Sequence, residues 1–409
     1  MPAASDRLEA VLERLRPIFD TVALDSYSRE RDHLLLREQV TRLVDAGFAS
    51  LRVPVERGGA GLSIPELARV LTELATADSN LPQIFRGHIA FVEDRLTASE
   101  SPERDAWLDR FVDGEIVGNA WSEVGSATVG TSQTTVTHTD DGYIVNGSKY
   151  YTTGSIYADW TDVTATDSET GAPLTALVRI DQPGVTVRDD WNGFGQQLTG
   201  TGTIIFENAR VEPNEVRLFE SRFRYQTALY QLVLLTVLAG VASSIEADAA
   251  TQIASRKRTY SHANADLVRH DAQILGVAGE ISAVAFTADA TVQHVAEVVQ
   301  RAFETASERD SDEDRSANVA AEIASAQGQI VLSKLVPEVA TRVFDALGAS
   351  GVSRDVGLDR HWRNARTVVS HNPWIYKARI VGDWSVNGTS PEYVWNIGIA
   401  KTESAAASG

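Results

Sequence analysis

Three regimes of hydrophobic spacing divide the chain. From Ser5 to about Arg110, apolar residues recur every three or four positions, as in LEAVLERLRPIF, LREQVTRLVDAGFASL and SIPELARVLTELATA, with Asp or Ser before several runs as candidate caps. That spacing predicts several short helices. Between roughly 115 and 215 the period falls to two. TTVTHTDDGYIVNGSKYYTTG alternates about Asp141-Gly142, a hairpin signal, and WTDVTAT, LTALVRI, VTVRDDW and TGTIIFENARV follow as strands parted by Gly, Pro and Asp. From about Ser221 to Leu347 the helical period returns in segments long enough for three or four bundle helices. The predicted class is α+β: an N-terminal helical domain over 1–114, a central antiparallel β-barrel or sandwich over 115–220, and a long-helix bundle with a C-terminal tail over 221–409. The acidic run SERDSDEDRS (307–316) reads as a solvated turn between two bundle helices.

Composition narrows the chemistry. The 409 residues carry a formal charge of −19, which disfavours binding to nucleic acid or to an anionic lipid surface. There are no cysteines, so disulfides, thiolate nucleophiles and Cys-held metals are excluded, and the eight histidines show no HExxH or HxH spacing. The start, MPAASDRLEAVLERLRPIF, carries acids and a helical period, unlike a signal peptide. The longest apolar run is taken as LVLLTVLAGVA (232–242), shorter than a bilayer span. The expected location is cytoplasmic, with no membrane and no nucleic-acid partner.

Three local motifs, in this order of domains, make the chain resemble the acyl-CoA dehydrogenase superfamily over nearly its whole length. NAWSEVGSA (119–127) is similar to the first flavin-contact stretch, NGSKYYTTGS (146–155) to the second, and SRKRTYSH (255–262) to an arginine motif on a bundle helix that reaches the flavin tail of a neighbouring subunit. The resemblance implies a flavoprotein assembled as a homotetramer.

A dehydrogenase of this family needs a carboxylate base, placed early in the first bundle helix or after the last arginine-rich motif. No Asp or Glu lies between Glu220 and Glu246, and none between Asp359 and Asp383. At the second place stands Ser370-His371-Asn372-Pro373. Proton abstraction next to a thioester therefore has no evident agent. LDRHWRNARTVVSHNPWIYKAR (358–379) is instead similar to the flavin-dependent monooxygenases built on this fold, a group that includes dibenzothiophene and amine or amino-sugar oxygenases. That resemblance implies reduced FMN delivered by a separate NAD(P)H:flavin reductase, with FAD as the other possible flavin. It further implies reaction with O2 to a C4a-hydroperoxyflavin, and oxygen transfer to sulfur or nitrogen of a small hydrophobic or aromatic substrate.

Residue roles carry over with it. Thr153 matches the hydroxyl beside flavin N5, Tyr151 the stacking ring, and Asn119 and Ser122 the partners of the pyrimidine edge. Asn372 joins the cofactor-binding set. Arg256 and Arg258, with Lys257 between them, match the phosphate grip. His371, where the base loop stood, is the candidate hydrogen-bond donor to the oxygenating group. His88 in SNLPQIFRGHIAFVE is the candidate second catalytic histidine facing the substrate, with Phe91 and Val92 as apolar wall. His361 reads as a packing residue, and RHWRNAR as a basic helix that also helps hold the flavin's anionic tail. The competing readings are an acyl-CoA dehydrogenase with a displaced base, an aromatic ring hydroxylase on the same fold, and a flavin-free scaffold.

Overall fold

The computed structural model describes residues 4–123 and 133–393. The first third is helical: α1 (Ala4–Arg31), α2 (Arg37–Asp45), α3 (Ile64–Ala77), α4 (Asn80–Ile84), α5 (Arg86–Thr97) and α6 (Pro102–Val112). α3 starts where the sequence signals it, because Ser63 accepts from the Glu66 N–H while the Glu66 carboxylate takes the Ser63 N–H (2.7 Å).

The middle third is one eight-stranded sheet. Its strands are β1 (Val117–Ala120), β2 (Thr135–Thr139), β3 (Gly142–Lys149), β4 (Trp160–Asp167), β5 (Pro173–Arg179), β6 (Val185–Val187), β7 (Ile204–Val211) and β8 (Val216–Leu218). They run in the order β6-β7-β3-β2-β4-β5-β8, with β1 also on β4. The β2–β3 hairpin turns at Asp141-Gly142 as the alternation predicts, pairing Thr135 with Asn146 through Thr139 with Gly142. Not every pairing is antiparallel, however: β1 and β2 lie end to end along β4, both parallel to it. β1 enters from α6 rather than through a hairpin, so nothing forces it to reverse. Alternating side chains of β2 to β5 and β7, among them Val136, Val145, Ala176 and Phe206, close on a single apolar interior.

The bundle holds α7 (Gln226–Ser255), α8 (Ala272–Thr305) and α9 (Asp312–Leu347), followed by α10 (Asp359–Ser370) and α11 (Ile375–Asn387). α7 is apolar on every side because it is packed by α3, α8, α9 and α10. α7 and α8 are both long and apolar enough to cross a bilayer, which corrects the expectation drawn from 232–242, yet 83% of the apolar stretch of α7 is buried inside the bundle. At Gly240 a Cβ would stand 2.3 Å from the Ala75 Cβ, so the absent side chain lets α7 touch α3. The acidic run is not wholly a turn. Its Asp312, Glu313 and Asp314 form the first turn of α9, capped by Ser311 and set at the positive end of the helix.

Candidate functional site

Two arms of the β domain approach the helices at the α4–α5 junction. The first is β1 with its exit. Asn119 is buried against Gly87 of α5, and its Oδ1 has no hydrogen-bond partner among the described residues. Beyond it, the Ser122 carbonyl accepts from the Tyr150 N–H (2.9 Å). Between them the Trp121 ring meets Tyr230 of α7 edge-on at 5.5 Å, lies under Arg222 and donates from Nε1 to Asp162 (3.2 Å). Residues 124–127 of the first motif lie outside the described residues.

The second arm is Tyr150-Tyr151-Thr152-Thr153-Gly154, where β3 has ended. Tyr151 takes φ +60°, a conformation that a bulky side chain adopts only when its surroundings impose it, and its ring is 46% exposed beside Tyr150 and Trp191. Thr153 is buried, with its hydroxyl 2.7 Å from that of Thr201. Gly154 has φ +82°, and a Cβ there would stand 2.2 Å from the Ile84 carbonyl. Glycine thus seats the Thr153 turn directly on α4.

The facing wall comes from α5, α7 and the end of α10. Arg86, two residues after Ile84, is buried; its Nη2 is 2.9 Å from His371 Nε2, and its guanidinium lies 4.8 Å over the Tyr230 ring. A guanidinium can only donate, so His371 Nε2 accepts, and the ring is the neutral tautomer with its proton on Nδ1. Nδ1 stands 3.4 Å from Asn372 Oδ1, too long for a strong bond, which leaves this proton available. His371 is exposed, at the end of α10, with protein crowded around the side that meets Arg86. The surrounding protein, and after it the Arg86 charge, hold its pKa well below the usual imidazole value.

Arg86 itself is unusual. Among the described residues no carboxylate lies within ion-pair distance of it, and its Nε has no partner. Burial pushes its pKa down to about 10. The nearby buried carboxylates are already held elsewhere: Asp162 by Arg222 (2.8 Å), and Glu93 by Arg52 (2.5 Å) and the Tyr225 hydroxyl (2.7 Å). Asn372 donates to Gln231 of α7 (3.0 Å) and its carbonyl accepts from Gln329 of α9 (3.2 Å), so the loop after α10 is tied to both helices.

Asn119, Ser122, Tyr151, Thr153, His371 and Asn372 therefore belong to elements that meet at one junction. Other expected residues lie elsewhere. His88 is two residues along α5 from Arg86, about 200° around the helix, and faces the core. Its Nε2 bonds to the Ala49 carbonyl (2.8 Å), its Nδ1 accepts from the Val117 N–H (3.3 Å), and burial lowers its pKa to about 4. With both nitrogens used, the expectation that it faces the substrate is corrected. Phe91 and Val92 are corrected with it: they pack with Trp107, Phe111 and Trp160 in the core that joins α5 and α6 to the sheet.

The arginines also divide. α7 ends at Ser255, so Arg256 and Arg258 lie in the following loop and not on a helix. Arg256 donates to the Leu347 carbonyl at the end of α9, and Arg258 is exposed. In α10, Arg360 pairs with Asp248 (2.7 Å) and Arg363 with Glu30 (2.6 Å) and Asp359 (2.8 Å). Those two charges are spent on packing, which removes Arg360 and Arg363 from the anion clamp expected of RHWRNAR; Arg366 donates to the Ser370 hydroxyl (3.1 Å) and has no carboxylate partner among the described residues. His361 is buried against Asp248 (2.8 Å) and packs α10 on α7. A groove of about 620 Å³ between α8, α9 and the segment after α11 contains none of the candidate site residues.

Sequence reasoning passed over Arg86, the best-placed cation of the site. A signal was present: it is the only charged residue in LPQIFRGHIAFV (81–92).

Comparison with known proteins agrees with this architecture. The acyl-CoA dehydrogenase N-terminal, middle and C-terminal domain families match residues 5–115, 120–209 and 232–374. A dibenzothiophene monooxygenase of Rhodococcus erythropolis is 28% identical over 363 residues, 85% of this chain and 86% of its own. A probable FMNH2-dependent monooxygenase, SfnC of Pseudomonas putida, is 25% identical over 356 residues, 85% of this chain and 88% of its own. The crystal structure of FMN-bound TdsC from Paenibacillus sp. A11-2 is 30% identical, superposes with a TM-score of 0.85, and covers 94% of this chain and 99% of that one. The chain belongs to the acyl-CoA dehydrogenase superfamily and, within it, to the flavin-dependent monooxygenases.

Proposed function

We propose that the protein is the oxygenase component of a two-component system. It takes reduced FMN from a separate NAD(P)H:flavin reductase and transfers one oxygen of O2 to sulfur, or to nitrogen, of a small hydrophobic or aromatic substrate. The observation that carries this reading is the Arg86–His371 pair (2.9 Å) at the place where a dehydrogenase keeps a carboxylate. A neutral imidazole whose Nδ1–H has only a long contact to Asn372, next to a buried cation with no carboxylate partner among the described residues, suits developing negative charge and cannot serve as a base strong enough for an α proton.

The residues present fit a flavin. The Oδ1 of Asn119, unpartnered among the described residues, and the half-exposed, backbone-strained Tyr151 are a polar atom and an aromatic face suited to a planar heterocycle with amide groups. Bound reduced flavin supplies the reaction with O2. The chain does the rest: Asn119 and Ser122 hold the pyrimidine edge, Tyr151 supports the ring, Thr153 meets the central edge, Asn372 fixes the loop, and His371 presents its Nδ1 proton. Arg256 and Arg258 would meet the phosphate of a neighbouring subunit's flavin. The face of α8 that leaves Phe286 77% and Leu275 49% exposed supports a homotetramer. A reductant of this kind is made inside cells, which supports a cytoplasmic enzyme. The sulfur preference is supported by the relatives named for dibenzothiophene.

The test is turnover with FMN, a flavin reductase, NADH and a mixed panel of thioethers, amines and phenols, read by mass spectrometry. One compound gaining one oxygen is the expected result. Bleaching of bound flavin by an acyl-CoA would instead establish the dehydrogenase, and failure to bind either flavin would leave a scaffold.

A further inference from the structure

Three threonine hydroxyls stand in series behind the Thr153 turn. Thr153 Oγ1 is 2.7 Å from Thr201 Oγ1, Thr201 Oγ1 is 2.7 Å from Thr199 Oγ1, and Thr199 Oγ1 is 2.8 Å from the Gln196 carbonyl. All three residues are buried. A hydroxyl has one proton to give, and a carbonyl has none. The Gln196 end therefore fixes the direction of the chain: Thr199 donates to Gln196, Thr201 to Thr199, and Thr153 to Thr201. Three bonds consume three protons. Thr153 is left at the head of the series with lone pairs and no donor.

The frame that holds the series is rigid. The Gly154 N–H donates to the Thr199 carbonyl (3.0 Å), and the Thr152 hydroxyl donates to the Gly202 carbonyl (2.9 Å). The Thr153 turn and the Thr199–Thr201 segment, which follows β6, are thus fixed to each other by backbone as well as by hydroxyls.

We propose that Thr199 and Thr201 are positioning residues that make Thr153 an obligate hydrogen-bond acceptor, so that the site discriminates reduced flavin from oxidised flavin. The inference rests on the reading above, in which Thr153 faces flavin N5. That nitrogen carries a hydrogen in the reduced ring and only a lone pair in the oxidised ring. An acceptor pairs with the first and repels the second. An enzyme that must collect its flavin already reduced gains from a hydroxyl whose proton is committed elsewhere, and a protein that receives oxidised flavin gains nothing.

The decisive variant is Thr199→Val, which touches neither Thr153 nor the cleft. It removes the acceptor of the Thr201 proton, so Thr201 turns to donate to Thr153 and the Thr153 proton is released toward the cleft. Anaerobic fluorescence titrations with oxidised and with dithionite-reduced FMN give both dissociation constants. The expected change is about a tenfold fall in the ratio Kd(oxidised)/Kd(reduced), the scale of one hydrogen bond's net worth. For a two-electron couple this equals a midpoint potential of bound FMN lower by about 30 mV. Thr199→Ser restores the series and the wild-type ratio. Thr201→Val reaches the same end by another route, since it deprives Thr153 of its acceptor, and it carries the test if Thr199→Val does not fold. A ratio unchanged in folded variants that bind both forms overturns the proposal. Wild-type protein that binds neither form overturns the flavin reading itself, and the relay with it.

Discussion

Arg86 and His371 form a pair that defines both partners. Burial disfavours the Arg86 charge, no carboxylate among the described residues offsets it, and it meets a ring nitrogen kept neutral by crowding and by the same charge. His371 in the native protein should therefore show the Nδ1–H tautomer by ¹⁵N NMR and should not titrate near its ordinary value of 6.5. Arg86→Met should move its titration upward, though not all the way, because crowding is the larger cause. A ring that titrates near 6.5 in the wild type would refute the assignment. His371→Ala should lower kcat by about 10²-fold, the cost of one well-aimed donor, while FMN affinity is retained. His88 gives a different kind of prediction. Its folded pKa of about 4 lies below the ordinary 6.5, so the unfolded chain binds more protons between these values. Stability is then complete above pH 6.5 and declines as pH falls toward 4, by about 3 kcal/mol for this group alone. Acid unfolding followed by circular dichroism should be less steep in His88→Gln, which cannot take up the proton.

At the scale of elements, α5 and α7 organise the site by presenting different faces to different neighbours. α5 turns Arg86 to the cleft and His88, Phe91 and Val92 to the core. α7 contributes Tyr230 and Gln231 to the cleft wall and is otherwise enclosed by the bundle. The α3–α7 contact is so close that Gly240→Val should overpack it, at a cost of about 1–3 kcal/mol, seen as a lower melting temperature with flavin affinity less affected. α10 reads as a basic helix by composition, but Asp248, Glu30 and Asp359 take up the charges of Arg360 and Arg363. It ends at Ser370, so His371 and Asn372 follow directly from its last turn.

For the whole molecule, the exposed apolar face of α8 is the feature that one chain leaves unresolved. Only 17% of its most apolar stretch is buried, and Phe286 stands in the open. Phe286→Glu should dissociate the assembly in sedimentation velocity, and should weaken FMN binding if Arg256 and Arg258 serve a neighbouring subunit's flavin. A monomeric wild type, or a dissociated variant with unchanged FMN affinity, would separate the two halves of that expectation.

Periodicity determined the fold class, because amphipathic spacing is a local property that tertiary packing seldom reverses: helices, then strands about Asp141-Gly142, then long helices. The order of motifs determined the family. The loss of a carboxylate near His371 was equally legible, since an absence along the chain requires no geometry. What each side chain faces was not legible. His88 and Arg86 are two residues apart in one apolar run, and only the rotation of α5 against the sheet decided which one is core and which one is site. Arg360 and Arg363 of α10 looked free until α7 and α1 brought Asp248 and Glu30 to them. The proton direction at Thr153 lies deeper still. It depends on a carbonyl more than forty residues away, and only the folded chain closes that series.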